Sequence, residues 1–552
     1  MLCGKRNLRM ITSSVKLACW RWTFPINSWT SRRLSISSSA ISSGSGVKNH
    51  QNNVDGVGLS SVLFLSPSNW PEPNATAAGI RTMSLLQHFS SSPTSPFTSV
   101  HFGSGAKNFP QSLNNIIVAN NIHWHKIKPN RTDDMTKLLE TITANYGPVR
   151  AVIFDRFYSE EAFSFRIRSI CPDAMLILDM QDVHSLRAMR QCVVEEYEGT
   201  SANTTMTKEL MQTVMELDPA SSNGDSGGVS KQKMVQKMKA YDTFLRELSS
   251  VHRSDLVLVC SSVEMRLLES WGIPNWKLVH ASFFCMDEEN IDANDVHDEN
   301  NIIHTPTQQQ SVCATFFDER NDFVTVGGFK HAPNVDSIKI LHREIWPRIR
   351  LRLPNARLHI YGAYPSRQIL SMHDERSGFL VHGRVDNLGK VLLQSRVLLA
   401  PLRFGAGCKG KIIDAWRYEC PVVTTPVGSE GMTEDGLDPS GDMSHNRWGG
   451  LVAHDTEEFV SAAVQLYTQE DLWQSCKEKG KELLKMLFDG RVNLPTVENS
   501  VRDCISDMNR RREADIFGSI LWRDTSRSTE YFSRWIELKE SLSAEKEDEN
   551  KK

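Results

Sequence analysis

Short apolar runs alternate with helix-period stretches along most of this chain. That alternation predicts strand–helix units and parallel sheets rather than hairpins, because parallel neighbours need a crossover between them. Strands are expected at 62–66, 100–102, 150–154, 175–178 and 256–260, and again at 323–326, 357–361, 378–382, 397–402, 421–425 and 450–453. Ile80, Met83, Leu86 and Phe89 are spaced for one buried helix face. Ile338, Leu341, Ile345 and Ile349 are spaced for another, with Asn334 or Asp336 placed to cap that helix. A chain of 552 residues is too long for one core. The pattern divides it into two doubly wound α/β domains, 60–286 and 323–490. A polar, glycine-rich insertion is expected at 216–230 and an acidic, then glutamine-rich connector at 287–322. Helices follow at 491–542, with apolar faces from Ile516, Ile520, Trp522, Phe532, Trp535 and Ile536, and a charged tail closes the chain at 543–552.

The chemistry concentrates in one unit of the second domain, where the strand at 397–402 runs into PLRFGAGCKGKIIDAW. Gly405, Gly407 and Gly410 make a turn before a short helix at 411–418. A helix that starts in such a turn aims free backbone N–H groups and a positive dipole end at one point, and Lys409 and Lys411 add two charges there. This is the expected cradle for a diphosphate. The same residues fit two other templates. The P-loop reading fails because Ile412 stands where a magnesium-binding hydroxyl is needed. The dinucleotide reading, an NAD-dependent oxidoreductase, is kept as an alternative because Glu430 lies at about the expected distance, although that fingerprint normally opens a domain. Gly327 and Gly328 end an earlier strand of the same domain, where the lack of a Cβ lets a ligand approach the backbone. In the first domain, Gly79 and Arg81 enter a helix from a strand, and LDMQDVHSLRAMR clusters Asp179, Asp182, His184 and Arg187 at the end of another. For Arg81 a solvated first-turn charge is the competing reading, and for His184 ordinary polar packing.

With VGGFKHAPNVD early and PVVTTPVGSEGM late, the stretch from 323 to 432 resembles the donor half of GT-B glycosyltransferases, in particular the retaining group 1 (family 4) class. The resemblance extends more weakly over 60–490. It implies two Rossmann-like domains facing across a cleft and a nucleotide-diphosphate sugar as donor, with no cofactor and no bound metal. Terminal helices crossing back onto the first domain are implied as well. It places Gly79, Arg81, Gly327, Gly328, Arg403, Gly405, Gly407, Lys409 and Lys411 around the donor, Asp414 on its ribose and Glu430 near the ribose or base. His184, Lys411 and Asp414 are the residues expected to carry the chemistry. The pattern is broken in three places. Ala406 stands where the first motif glutamate belongs, Asp414 is one methylene shorter than the second, and Glu419 replaces a small residue. A GT-B scaffold that binds sugar or nucleotide without turnover is therefore a further alternative.

A net charge of -3 supplies no bulk attraction to nucleic acid or to an anionic membrane. Eleven scattered cysteines, with no C-x-x-C pair, suggest neither a zinc site nor a disulfide framework. Residues 1–55 carry basic and serine residues, the first 50 without one acid, as a mitochondrial or plastid transit peptide does; a cytoplasmic protein with a disordered basic tail is the alternative. No stretch reaches the roughly 18 apolar residues of a membrane span, so any membrane contact is expected to be peripheral. The acceptor, whether glycan, lipid or protein, is not legible.

Overall fold

The computed structural model describes residues 59–549, apart from 73–75, 111–112, 114–120, 130, 197–230, 287–315, 386 and 435–447. The expected leader, the 216–230 insertion and most of the 287–322 connector therefore lie outside the described residues.

Thirteen strands are described. The first seven are β1 (Ser61–Ser66), β2 (Ser99–Ser104), β3 (Ile122–Lys126), β4 (Val149–Asp155), β5 (Met175–Asp179), β6 (Leu256–Val259) and β7 (Leu278–His280). They form one sheet in the order β3-β2-β1-β4-β5-β6-β7. The other six are β8 (Asn321–Val326), β9 (Leu358–Tyr361), β10 (Phe379–Gly383), β11 (Ser395–Ala400), β12 (Val422–Thr424) and β13 (Gly450–Val452). Their order is β10-β9-β8-β11-β12-β13. Every pairing in both sheets is parallel. Counted from its own first strand, the second lobe runs 3-2-1-4-5-6 and the first runs the same with a seventh strand added, the dinucleotide-fold order that turns at the first and fourth strands. Two parallel α/β lobes follow from the alternation of apolar runs and crossover helices. The central strands are buried on both faces and read as continuous apolar runs such as VLFL and LVLV.

β3 and β7 escape the sequence pattern for the same reason. Both are short edge strands: β3 reads IHWHK with only Ile122 buried, and β7 is just the three residues LVH, too short to read as a run. Ile80 is a correction: Met83, Leu86 and Phe89 are buried as spaced, but Ile80 is 38% exposed at the start of the helix Ala77–Ser91. Asn334 and Asp336 do not cap their helix either. It begins at Ala332, with His331 in the cap position and Pro333 in the first turn.

The chain crosses between lobes twice, side by side. Cys285 N–H donates to the Phe488 carbonyl at 2.7 Å and Gly490 N–H to the Cys285 carbonyl at 2.8 Å. After the second crossing the helix Gly490–Ala514 returns to the first lobe, as expected, and buries Leu494, Val497, Val501 and Cys504 in its core. The last helix, Ile516–Glu549, differs from expectation. Ile516, Ile520, Phe532 and Trp535 are each more than half exposed, so these four do not face a core, while Trp522, against the Arg168 guanidinium, and Ile536 are half-buried.

Candidate active site

The carboxyl ends of both sheets meet, and the glycine turn after β11 lies between them. Its shape is set by backbone geometry. Gly407 adopts φ 65°, and a Cβ there would stand 2.9 Å from the Asp182 Cβ and 3.2 Å from the Cys260 Sγ, both in the first lobe. Glycine is required because the opposite lobe comes this close. The Gly407 N–H donates to the Glu264 carboxylate at 2.7 Å, and Arg190 donates to the Gly405 carbonyl at 2.8 Å. Cys408 Sγ reaches the Cys260 carbonyl at 3.2 Å. The turn is thus gripped from the first lobe.

That grip reassigns several expected donor ligands. Glu430, expected near the ribose, is bidentate with Arg190 at 2.7 and 2.8 Å. Burial pushes its carboxyl up, but the Arg190 charge outweighs this and holds it below the usual range. Arg81, expected at the phosphates, has no exposed surface: it pairs with Asp179 at 2.7 Å, donates to the Ala281 and Ser282 carbonyls and stacks on Phe284. It fastens the start of the crossing chain to β5. Gly79 serves packing, since a Cβ there would fall 2.2 Å from the Glu72 carbonyl oxygen. Arg403 makes a two-point pair with Asp336 at 2.6 and 2.9 Å, pinning the turn to the helix Ala332–Ile340.

What remains for a ligand is nevertheless coherent. The helix Gly410–Arg417 starts at Lys409 with no side-chain cap and no acid in its first turn. Its first N–H groups are the orphan donors that suit an anion. Lys411 Nζ donates to Asn334 Oδ1 at 2.8 Å, and Asn334 Nδ2 donates to the Gly328 carbonyl at 3.0 Å, which links the helix start to the turn after β8. Gly327, at φ 156°, leaves room for that amide, which would lie 2.6 Å from an added Cβ. Gly328 faces open space. Lys409 is buried, its Nζ folded back on the Gly407 carbonyl. Burial, and then the Lys409 charge, push Lys411 down to about 8.

Asp414 sits one turn into the same helix, where burial raises it to about 6 against the Arg417 charge. His184 comes from the first lobe. Its Nδ1 lies 3.0 Å from the Asp182 carbonyl and 3.6 Å from Glu247, and its ring stands edge-on to Phe157 and Tyr158. Burial lowers its pKa. Glu247 also accepts the His184 and Ser185 N–H groups at 2.8 and 2.9 Å and so fixes the start of that helix.

The sequence reading passed over His331, Arg190, Glu264 and Glu247. His331 lies at the start of the helix Ala332–Ile340 with its surface partly open to solvent; desolvation, followed by the charges of Arg187, Lys411, His184 and Lys409, holds its imidazole down to about 3. Two of those neighbours come from each lobe. Only the adjacency of His331 to Gly327-Gly328 hinted at it. Glu264 is buried with its pKa raised to about 7 by burial, opposed by the N–H groups of Val183 and Gly407 and by the Lys409 charge. Two residues that end the strands of this edge, Arg156 at φ 70° and Gln181 at φ 63°, hold backbone conformations that non-glycine residues seldom adopt.

Residues 320–469 match the model of a family described as glycosyl transferases group 1. This chain carries a group 1 glycosyltransferase domain. The glycosyltransferase match spans β8 to the helix Thr456–Thr468 and so contains Gly327, Gly328, His331, Lys409, Lys411 and Asp414. No curated protein matches the chain. Among solved structures, the Anabaena protein HepE, determined with UDP and glucose, aligns over 81% of this chain and 99% of its own at 9% identity, TM-score 0.49. A glycosyltransferase from Rickettsia africae aligns over 80% and 98% at 10% identity, TM-score 0.49. WaaG, a glycosyltransferase of lipopolysaccharide biosynthesis, aligns over 80% and 99% at 12% identity, TM-score 0.45. Likenesses this distant carry no chemistry across to this chain.

Proposed function

We propose that this glycosyltransferase moves a sugar from a nucleotide-diphosphate donor to an acceptor that is a glycan, a lipid or a protein, with retention at the anomeric carbon and without a metal ion. The observation that carries the reading is the uncapped start of the helix Gly410–Arg417, with Lys411 tied through Asn334 to the glycine turn at Gly328. Departure of the nucleotide develops negative charge on the diphosphate, and fixed cations with oriented N–H groups stabilise it without reorganising. Lys411, the backbone of Gly328 and the first N–H groups of the helix Gly410–Arg417 take the diphosphate in this reading. Lys409 adds charge from behind. Asp414 accepts from the ribose, and His184, with Nδ1 held by Asp182, turns its other nitrogen toward the transferred sugar.

A binding module without turnover is the second reading, and Ala406 favours it. It is buried among first-lobe residues, with no carboxylate where the motif has one. The oxidoreductase reading loses support on two counts: its acid, Glu430, is taken by Arg190, and its glycines follow the fourth strand of the lobe rather than the first. The basic, acid-free leader supports delivery to a mitochondrion or plastid.

A panel of UDP-, GDP- and ADP-sugars tests the proposal, run with and without chelator. Hydrolysis or transfer that survives chelation is the expected result. Nucleotide binding without turnover selects the module, and selective NAD binding overturns the transferase. Lys411→Ala that kept full donor affinity would remove the diphosphate placement.

A further inference from the structure

Two thiols meet at the contact between the lobes. Cys260 ends β6 in the first lobe, and Cys408 lies in the glycine turn of the second. Both are buried, and both are free thiols. Cys408 Sγ also lies 3.2 Å from the Cys260 carbonyl, and Cys260 Sγ lies 3.2 Å from where a Gly407 Cβ would be. Their partners differ: Cys260 Sγ sits 2.8 Å from the Gln181 carbonyl and 3.8 Å from Glu264, whereas Cys408 lies next to Lys409 and just ahead of a helix start.

We propose that Cys260 and Cys408 form a reversible cross-lobe disulfide under hydroperoxide, locking the two lobes together around the glycine turn. The environments assign the order of events. Cys408 sits beside the Lys409 charge and just ahead of a helix start, whereas the Cys260 sulfur faces the Gln181 carbonyl and the Glu264 carboxylate, so Cys408 is the nucleophile. When the lobes part, its thiolate attacks one peroxide oxygen. The O–O bond breaks, Cys408 becomes a sulfenic acid, and the departing hydroxide leaves as water with the thiol proton. The Cys260 sulfur then attacks Cys408 Sγ. The S–O bond breaks, the S–S bond forms, and the hydroxide takes the Cys260 proton as a second water. Two electrons pass from the sulfurs to the peroxide, and a dithiol reverses the bond by exchange.

The bond joins residues that must separate whenever the lobes open for ligand exchange, so it would stop turnover in the closed form. Only this consequence rests on the transferase reading. The test uses the full chain, reduced and then treated with equimolar hydrogen peroxide, blocked with N-ethylmaleimide and digested without reductant. Mass spectrometry should find the Cys260 and Cys408 peptides joined. The thermal midpoint should rise and return with dithiothreitol. Cys260→Ser, which keeps a hydrogen-bonding atom beside Gln181, should give neither change. Donor turnover in the wild type should fall by about tenfold or more and recover on reduction. Recovery of both cysteines as separate maleimide adducts, or each separately over-oxidised, would overturn the cross-link. A cross-link that left turnover unchanged would overturn the lock. If no donor turns over at all, the transferase reading fails, while the peptide map and the thermal shift still decide the disulfide.

Discussion

At the scale of single residues, Lys411 and Asp414 are placed to make donor binding depend on pH in both directions. Lys411 loses its charge as pH rises through about 8, and Asp414 gains its own as pH rises through about 6. Diphosphate needs the first group protonated, and a ribose hydroxyl donates best to the second when it is ionised. Affinity for a nucleoside diphosphate should therefore peak between the two values and fall on either side; calorimetric titration from pH 5 to 9 checks this. Lys411→Ala should remove the alkaline fall, and Asp414→Asn the acid one. Arg190 carries a different expectation. Its removal leaves Glu430, which is half-buried, without its two-point partner, at a cost of about 3 kcal/mol. Urea unfolding of Arg190→Ala should show a lower midpoint with an unchanged slope.

At the scale of elements, the turn between β11 and the helix Gly410–Arg417 does two jobs with different residues. Its helix end presents open N–H groups, while its glycines serve the approach of the other lobe. Gly407→Ala should cost roughly 1–2 kcal/mol for the left-handed backbone, and the crowding against Asp182 and Cys260 adds to that. Gly405→Ala meets nothing closer than Lys409 Cε at 3.5 Å and should be close to neutral. Thermal melting of the two variants compares them directly, and equal losses would contradict this division of the turn.

At the scale of the molecule, the helix Gly490–Ala514 belongs to the core of the lobe it returns to. Leu494, Val497 and Val501 are at most 5% exposed there, and Glu498 pairs with His88 at 2.8 Å. Burying these three aliphatic side chains stabilises by on the order of 5 kcal/mol, comparable with the whole stability of a domain. Truncation after Phe488 should therefore yield insoluble or unfolded protein. Ending the chain after Gly518 should leave a cooperative unfolding transition, because it spares Asp515, whose carboxylate meets the buried Lys277 at 2.5 Å, and removes mainly exposed apolar residues. Soluble yield and circular dichroism of the two truncations measure the difference.

The two parallel sheets are legible along the chain, because central strands buried on both faces must be continuous apolar runs and crossovers must be helical. The sequence also marks the turn and helix that hold Lys409, Lys411 and Asp414, since glycine turns announce where a sheet opens. Short edge strands such as IHWHK stayed hidden, because one solvated side leaves no pattern to read. Which charges are left for a ligand depends instead on how distant segments pack. Arg81, Arg403 and Glu430 look like site residues in one dimension, yet Asp179, Asp336 and Arg190, 98, 67 and 240 positions away along the chain, take them up. Charge pairing acts over a few ångströms whatever the separation in sequence, so local pattern cannot reveal it.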